Sequence, residues 1–217
     1  MIMNSNIDHT NLKAYSSKYD IIKLCNEALE YNFASVCVNP YYVSLASEIL
    51  SESNVAVCTV IGFPLGTNTL ETKVFEATNA IENGADEIDM VINIGALKNK
   101  DYKYVKKEIE SIRDAIKGKI LKVIIETCYL EKDEIIKMTE ICNETFVNFI
   151  KTSTGFGNEG ATVENVKLMK EHASETLEIK ASGGIKTYEE AVTFLELGAT
   201  RLGTSNGVLL MKGEENE

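Results

Sequence analysis

The sequence predicts one domain, spanning residues 1–217, with the (β/α)8 TIM-barrel fold. Three observations predict it. Short runs rich in β-branched residues alternate with longer amphipathic stretches along the whole chain; there are eight such runs; and 217 residues matches the roughly 200 or more that a small barrel needs. Alternation of this kind implies parallel strands joined by helical crossovers. An open doubly wound sheet with fewer strands is the alternative.

"IDHTN" (7–11) opens the series and is followed by "YDIIKLCNEALEY" (19–31), where apolar residues recur at helical spacing. Next come "ASVCVN" (34–39) with "YYVSLASEILSE" (41–52), then "VAVCTVIG" (55–62) with "TLETKVFEATNAIENG" (69–84). "DEIDMVIN" (86–93) leads to "YKYVKKEIESIRDAIKG" (102–118), and "LKVIIET" (121–127) to "EKDEIIKMTEICNE" (131–144). "FVNFIKTS" (146–153) precedes "TVENVKLMKEHA" (162–173), "LEIKASG" (177–183) precedes "TYEEAVTFLELG" (187–198), and "TRLGTS" (200–205) closes the series. Gly84, Gly118 and Gly198 end three of the helical stretches, a position where glycine relieves the left-handed turn.

Nothing divides the chain into two domains: it has no Pro/Ser-rich linker, low-complexity tract or repeated segment. An apolar fraction of 44% and a charged fraction of 25% are those of an ordinary globular protein with a full core. The 22 basic and 33 acidic residues give a net charge of −11, the wrong sign for nucleic acid or an anionic membrane surface. "MIMNSNIDHTNLKAY" carries no basic leader with an apolar core, and no apolar run approaches a membrane span, so a cytoplasmic location is expected. Five cysteines, odd in number and without a C-x-x-C pair, indicate neither a disulfide framework nor a zinc site. With only His9 and His172 available, chemistry without a metal is expected.

Side chains alternate across a strand, and here the alternation points to a function. In "DEIDMVIN" one face holds Ile88, Met90 and Ile92, the other Glu87, Asp89, Val91 and Asn93. Leu121, Val123 and Ile125 oppose Lys122, Ile124 and Glu126; Lys151 shares its face with Phe149 and Ser153, Lys180 with Glu178 and Ser182, and Asp8 with Thr10. Helices cover a barrel from outside, so the uniformly apolar faces point outward and the mixed faces inward. The interior then holds Asp8, Asp89, Lys122, Lys151 and Lys180, too many charges for a core that only packs.

Lys151 and Lys180 fall on consecutive strands, each followed by small residues and glycine, "KTSTG" and "KASGG". Strands about 5 Å apart put the two lysines at similar heights near the C-terminal mouth, where barrel enzymes work. Desolvation and a neighbouring ammonium both disfavour the charged form of a lysine, and the neutral amine attacks carbonyls to form a Schiff base. Asp89 supplies a carboxylate for proton transfer. Together these point to an aldolase of the Schiff-base kind. The competing reading is a buried ion network that only stabilises the barrel; it is strongest for Lys122, which Asp89 or Glu126 could simply neutralise, and Asp8 and Thr10 are equally open.

"ASGGIKT" and "TRLGTSNG" expose backbone N–H groups at turns ahead of a helix, which suits a phosphate. Tight turns that need glycine for backbone reasons alone are the alternative. With only Arg113 and Arg201 in the chain, the phosphate would be held by backbone amides, hydroxyls such as Ser205, and Lys186. The substrate class is a small phosphorylated sugar.

"DEIDMVINIGALK", "LKVIIET", "FIKTSTGF", "KASGGIKT" and "RLGTSNG", in this order, closely resemble the deoxyribose-phosphate aldolase family, over a span from "IDHTNL" to the last strand. The resemblance implies cleavage of 2-deoxy-D-ribose 5-phosphate to D-glyceraldehyde 3-phosphate and acetaldehyde, with no cofactor. It implies that Lys151 forms the Schiff base, that Lys180 relays protons and perturbs its neighbour's titration, and that Asp89 is the other proton donor and acceptor. It also implies phosphate contacts at Gly183, Gly184, Gly203 and Ser205, a polar inner wall including Asp8, Thr10, Cys37 and Lys122, and a homodimer. Some members carry a C-terminal tail ending in a tyrosine that assists proton transfer, whereas this chain has no tyrosine after Tyr188. Another phosphosugar barrel enzyme, or an idle barrel that binds a sugar phosphate without turning it over, are the competing functions.

Overall fold

Every predicted run becomes a strand, each pairs in parallel with its sequence neighbour, and the last returns to the first to close an eight-stranded barrel. The structure, a computed structural model, describes residues 3–214; the outer ends of the expected 1–217 domain, including the last residues of the tail without a tyrosine, lie outside them. In chain order the elements are β1 (Ile7–Asn11), α1 (Lys18–Tyr31), β2 (Ser35–Val38), α2 (Val43–Leu50), β3 (Ala56–Ile61), α3 (Leu70–Glu82), β4 (Glu87–Val91), α4 (Ile94–Lys98) and α5 (Tyr102–Ala115). There follow β5 (Ile120–Ile124), α6 (Lys132–Glu144), β6 (Phe149–Lys151), α7 (Val163–His172), β7 (Glu178–Ser182), α8 (Tyr188–Glu196), β8 (Arg201–Thr204) and α9 (Gly207–Glu214). Among the described residues no helix is long and apolar enough to cross a membrane.

Side-chain caps fix most helix starts. The Ser17, Thr69, Asp101, Thr162 and Thr187 side chains each accept from the backbone N–H three residues on, satisfying a donor the helix cannot. Two helices depart from the sequence reading. The five residues of α4 are too few for a helical period to register; Asn93, expected in a strand, instead caps α4 by accepting from the Ala96 N–H at 3.0 Å. In α9, "GVLLMKGE" offers little polar contrast, and the helix exists because it packs on α8, α1 and β1.

The strand expected from Phe146 begins later. Phe146 has φ +52° and is exposed, and the Val147 N–H donates to the Cys142 carbonyl, so the start of that run is the reversal out of α6 and only Phe149–Lys151 is strand. The strand expected to reach Thr127 stops at Ile124, because Glu126 takes φ +53° and turns its carboxylate away.

The apolar faces point outward as alternation requires. Ile88, Met90 and Ile92 of the β4 segment and Leu121, Val123 and Ile125 of the β5 segment join the main core with Ile21, Cys25 and Ala28 of α1 and Ile109 and Ile112 of α5. Each such Ile or Leu side chain contributes about 1.5–3 kcal/mol. A smaller cluster, Leu12, Cys37, Cys58 and Val60 capped by Phe63, is separate from this shell and lies on the inward faces.

One buried ion pair lies in the helix layer. Lys73 of α3 donates to Glu108 of α5 at 2.6 Å and to the Val91 carbonyl at 2.7 Å, while the Asn93 N–H donates to the same carboxylate at 3.0 Å. Burial pushes Lys73 below and Glu108 above their ordinary values, against their mutual attraction. The pair ties the C-terminal end of β4 to two helices. Lys73→Met should therefore cost about 3–5 kcal/mol in urea unfolding, because it strands a buried carboxylate; a cost below about 1 kcal/mol would show that the pair does not anchor the strand.

Candidate active site

The inward faces of the strands converge on one carboxylate. Asp89, in the middle of β4, is fully buried, and Lys122, Lys151 and Lys180 all reach it. Lys122 lies 2.8 Å from Oδ1; Lys151 and Lys180 each lie 2.7 Å from Oδ2. Register explains the convergence: Asp89 pairs with Lys122 across β4 and β5, and Lys151 with Lys180 across β6 and β7. Two strand neighbours at one height aim their stems at the same oxygen.

The network continues toward the N-terminal end of the barrel. Lys180 also meets Asp8 at 2.5 Å, and Lys122 meets Glu87 at 2.5 Å and Asp8 at 3.6 Å. Arg201, first residue of β8, closes the far end on Asp8 at 2.6 Å and Glu87 at 3.1 Å, its guanidinium lying 5.2 Å from the Phe149 ring centre. Glu87 and Arg201 were absent from the interior expected from sequence. The signal was there: Glu87 shares the Asp89 face, and Arg201 sits two residues before Gly203. Glu126, expected as a partner for Lys122, instead accepts from the Thr154 N–H and hydroxyl.

Burial by itself would push these groups toward neutrality, and opposite charges reverse the direction. Asp89 is held well below the usual carboxylate range by Lys122, Lys151 and Lys180, and Asp8 likewise by Lys180, Lys122 and Arg201. Lys180 is held above the ordinary lysine value by Asp8 and Asp89, and Lys122 by Asp89 above all. Between the register-paired thiols, a hydrogen bond from Cys58 lowers Cys37, while burial and that same bond raise Cys58.

Two sets of donors among the described residues come together closely, Cys37, Cys58 and Asp89, and Asp8, Cys58 and Glu87. Their carboxylates already compensate Lys122, Lys180 and Arg201, and a divalent ion would have to enter beside those cations. The donor chemistry fits lysine rather than a metal.

Above the network opens a cavity of about 520 Å³, lined by Lys151, Thr154 and Phe156 from the β6 loop, Ser182 to Lys186, Gly203 to Asn206, and Thr10. Lys151 is the network lysine on its wall; Asp8, Cys37 and Lys122 have no exposed surface and lie beneath it. Gly183, Gly184 and Ser205 all face the cavity. Both glycines have φ +83°, so the loop turns its backbone where a side chain would be strained. Gly203 serves a different need: a Cβ there would lie 3.1 Å from Lys180 Cε and 2.9 Å from Ser182 Cβ. The two glycine-bearing loops are stitched together, the Thr204 hydroxyl and Asn206 amide donating to the Ile185 carbonyl at 2.8 and 3.3 Å. Gly160 backs the first loop so closely that a Cβ would lie 2.0 Å from the Gly183 carbonyl oxygen.

One wall of the cavity escaped sequence reasoning altogether. His9 and Lys13 from the β1 segment and Asp20, Lys23 and Glu27 from α1 line it, with His9 on Glu27 at 2.8 Å. His9 lies on the opposite face of its strand from Asp8, and helical spacing could not say which α1 residues overhang the mouth.

Comparison with known proteins agrees across the whole chain. The family model for DeoC/LacD family aldolases matches residues 2–212. The chain is 57% identical over 214 residues to a deoxyribose-phosphate aldolase of Thermococcus gammatolerans, covering 97% of this chain and 95% of that one. It is 56% identical over 209 residues to one of Clostridioides difficile, covering 96% and 95%. Among solved structures, a deoxyribose phosphate aldolase from Aeropyrum pernix, described as a tetramer, superposes with a TM-score of 0.92 at 30% identity, covering 98% of this chain and 91% of that one.

Removing the carboxylate at the centre leaves Lys122, Lys151 and Lys180 facing one another, so Asp89→Asn should cost about 3–5 kcal/mol near neutral pH. A carboxyl whose folded value is depressed stabilises the fold above its unfolded value of about 3.9 and loses that contribution as pH falls toward the folded value. The melting-temperature gap between wild type and the Asp89→Asn variant should thus stay constant near neutrality and narrow only below about pH 4. A gap that already closes at pH 6 would contradict this account.

Proposed function

The chain belongs to the DeoC/LacD family of aldolases, and we propose that Lys151 is the residue through which it cleaves 2-deoxy-D-ribose 5-phosphate, reversibly, to D-glyceraldehyde 3-phosphate and acetaldehyde. The observation that carries the proposal is the position of Lys151. It ends β6 at the floor of the cavity, its amine bound to a carboxylate oxygen that it shares with its strand neighbour Lys180. An amine so placed meets a substrate carbonyl from above and a proton carrier from below.

Lys151, as the free amine, attacks the C1 aldehyde of the open-chain sugar, and loss of water gives an iminium. Asp89, through a water that the Lys180 ammonium orients, takes the proton from the C3 hydroxyl. The electron pair of the C2–C3 bond then flows into the iminium, which leaves an enamine on Lys151 and frees glyceraldehyde 3-phosphate. C2–C3 is the bond that breaks, because acetaldehyde retains only C1 and C2. Protonation at C2 and hydrolysis release acetaldehyde and restore the amine. Lys180, kept protonated by Asp8 and Asp89, is the proton source nearest this chemistry.

The phosphate falls to the backbone amides of Gly183 and Gly184 and to Ser205, with Lys186 at the rim of the same cavity. A phosphate held there, with C1 on Lys151, fixes both ends of the chain. Catalysis in this reading needs no metal or organic cofactor, since the iminium is the electron sink. The reaction belongs to deoxyribose phosphate catabolism. A cytoplasmic location is part of the proposal, supported by cysteines that are all unpaired, and so is the homodimer that the resemblance implies.

Borohydride reduction in the presence of substrate, followed by peptide mapping, should place a stable adduct on Lys151. Lys151→Ala should remove both adduct and cleavage; full activity in that variant would end the mechanism. Lys180→Met should lower the rate by about 10²–10⁴-fold, the range of a lost acid–base group, while trapping on Lys151 persists at high pH. The loop is tested by Gly160→Ala, which displaces Gly183: KM for the phosphate ester should rise about tenfold, a loss of roughly 1.4 kcal/mol, with little change for unphosphorylated 2-deoxyribose. Equal changes for both sugars would remove these amides from phosphate binding.

A further inference from the structure

The charged groups inside the barrel do not balance. Carboxylates come from Asp8, Glu87 and Asp89, cations from Lys122, Lys151, Lys180 and Arg201, so with these seven ionised and the Cys37 and Cys58 thiols protonated the interior carries one positive charge in excess. An uncompensated charge in an interior this largely withdrawn from water is unfavourable. The surplus is relieved when one cation gives up its proton.

Geometry selects which one. Lys122 has Asp8, Glu87 and Asp89 within 4 Å, Lys180 has Asp8 and Asp89, and Arg201 has Asp8 and Glu87. Lys151 has Asp89 alone, at an oxygen already shared with Lys180, and is the one that borders the cavity. The balanced state of the interior is therefore the state in which Lys151 is the free amine. We infer that Arg201, at the opposite end of the strands and outside the substrate cavity, is a positioning residue for the reaction: its charge on Asp8 and Glu87 keeps those carboxylates from compensating the Lys151 ammonium.

Across the cavity that Lys151 borders, the ionisable side chains are His9, Lys13, Asp20, Lys23, Glu27 and Lys186. Ionisable side chains enter the network itself from β1 (Asp8), β4 (Glu87 and Asp89), β5, β6, β7 and β8 as above, and from β2 and β3 only the thiols Cys37 and Cys58. Charge counting then gives opposite outcomes for substitutions at one contact. Without Arg201, three carboxylates face three ammonium groups, and Lys151 is retained in the charged form. Without Glu87, the surplus grows and Lys151 is discharged more readily. Without both, the original surplus returns.

The inference rests on Lys151 being the nucleophile, and its test separates the two claims. The readout is the acid limb of the pH–rate profile for sugar phosphate cleavage. Arg201→Met should move that limb to higher pH by about one unit, which is about a tenfold loss of rate on the limb. Glu87→Gln should move it to lower pH, Arg201→Lys should leave it near wild type, and Glu87→Gln with Arg201→Met should bring it back. The displacement should persist in a Cys37→Ala background, where that thiol no longer answers the charge. Loss of packing alone would depress the rate at every pH and would not be reversed by a second substitution. A limb unmoved by Arg201→Met, or one that Glu87→Gln fails to bring back, overturns the inference; if Arg201→Met does not fold, a limb unmoved or raised by Glu87→Gln alone does so. Borohydride trapping in wild type that labels a residue other than Lys151 overturns the underlying mechanism instead.

Discussion

A single carboxylate organises this barrel. Asp89 is sealed from solvent and accepts from Lys122, Lys151 and Lys180, so no member of the group can change protonation without changing the field at the others. Charges in a low-dielectric interior interact far more strongly than on a surface, and the same desolvation makes each of them costly when unpaired. The structure resolves this by threading alternating signs down the barrel, from Lys151 at the cavity floor through Asp89, Lys180, Asp8 and Lys122 to Glu87 and Arg201. Stability and reactivity rest on the same atoms.

The shell around this network keeps it rigid. Outward strand faces pack on helices through a continuous apolar layer, and the strands can neither slip nor tilt without exposing it. The Lys73–Glu108 pair adds a polar anchor at the end of β4, within two residues of Asp89, by engaging the Val91 carbonyl directly. Glycine at 203 leaves the space that the Lys180 stem fills.

Much of the fold was legible because the chain obeys two simple periods. Alternation by two exposed the apolar outer faces of β4 and β5, and spacing near 3.6 exposed the principal helices. The misses have physical reasons. Five-residue α4 is too short to display a period, α9 lacks a polar face, and Phe146 looked like strand because an apolar residue in a helix-terminating turn is indistinguishable from one in a sheet until its backbone is seen. In the site, Lys151, Lys180 and Asp89 stood out as charges on inward faces. His9, Lys23 and Glu27 did not, since a helix overhanging the mouth leaves no mark in its own spacing.

By itself the sequence determined the barrel, the inward direction of the charged faces and the pairing of two lysines on consecutive strands, because these follow from local periodicity and the order of elements. Only the tertiary structure decided which charge answers which. Strand register brings Lys151 and Lys180 onto one oxygen of Asp89, closure of β8 against β1 brings Arg201 to Asp8, and a turn at Glu126 withdraws a carboxylate that alternation had placed beside Lys122. Those contacts join residues as many as 193 positions apart, as with Arg201 and Asp8, and electrostatics inside a barrel is set by distances that no local pattern encodes.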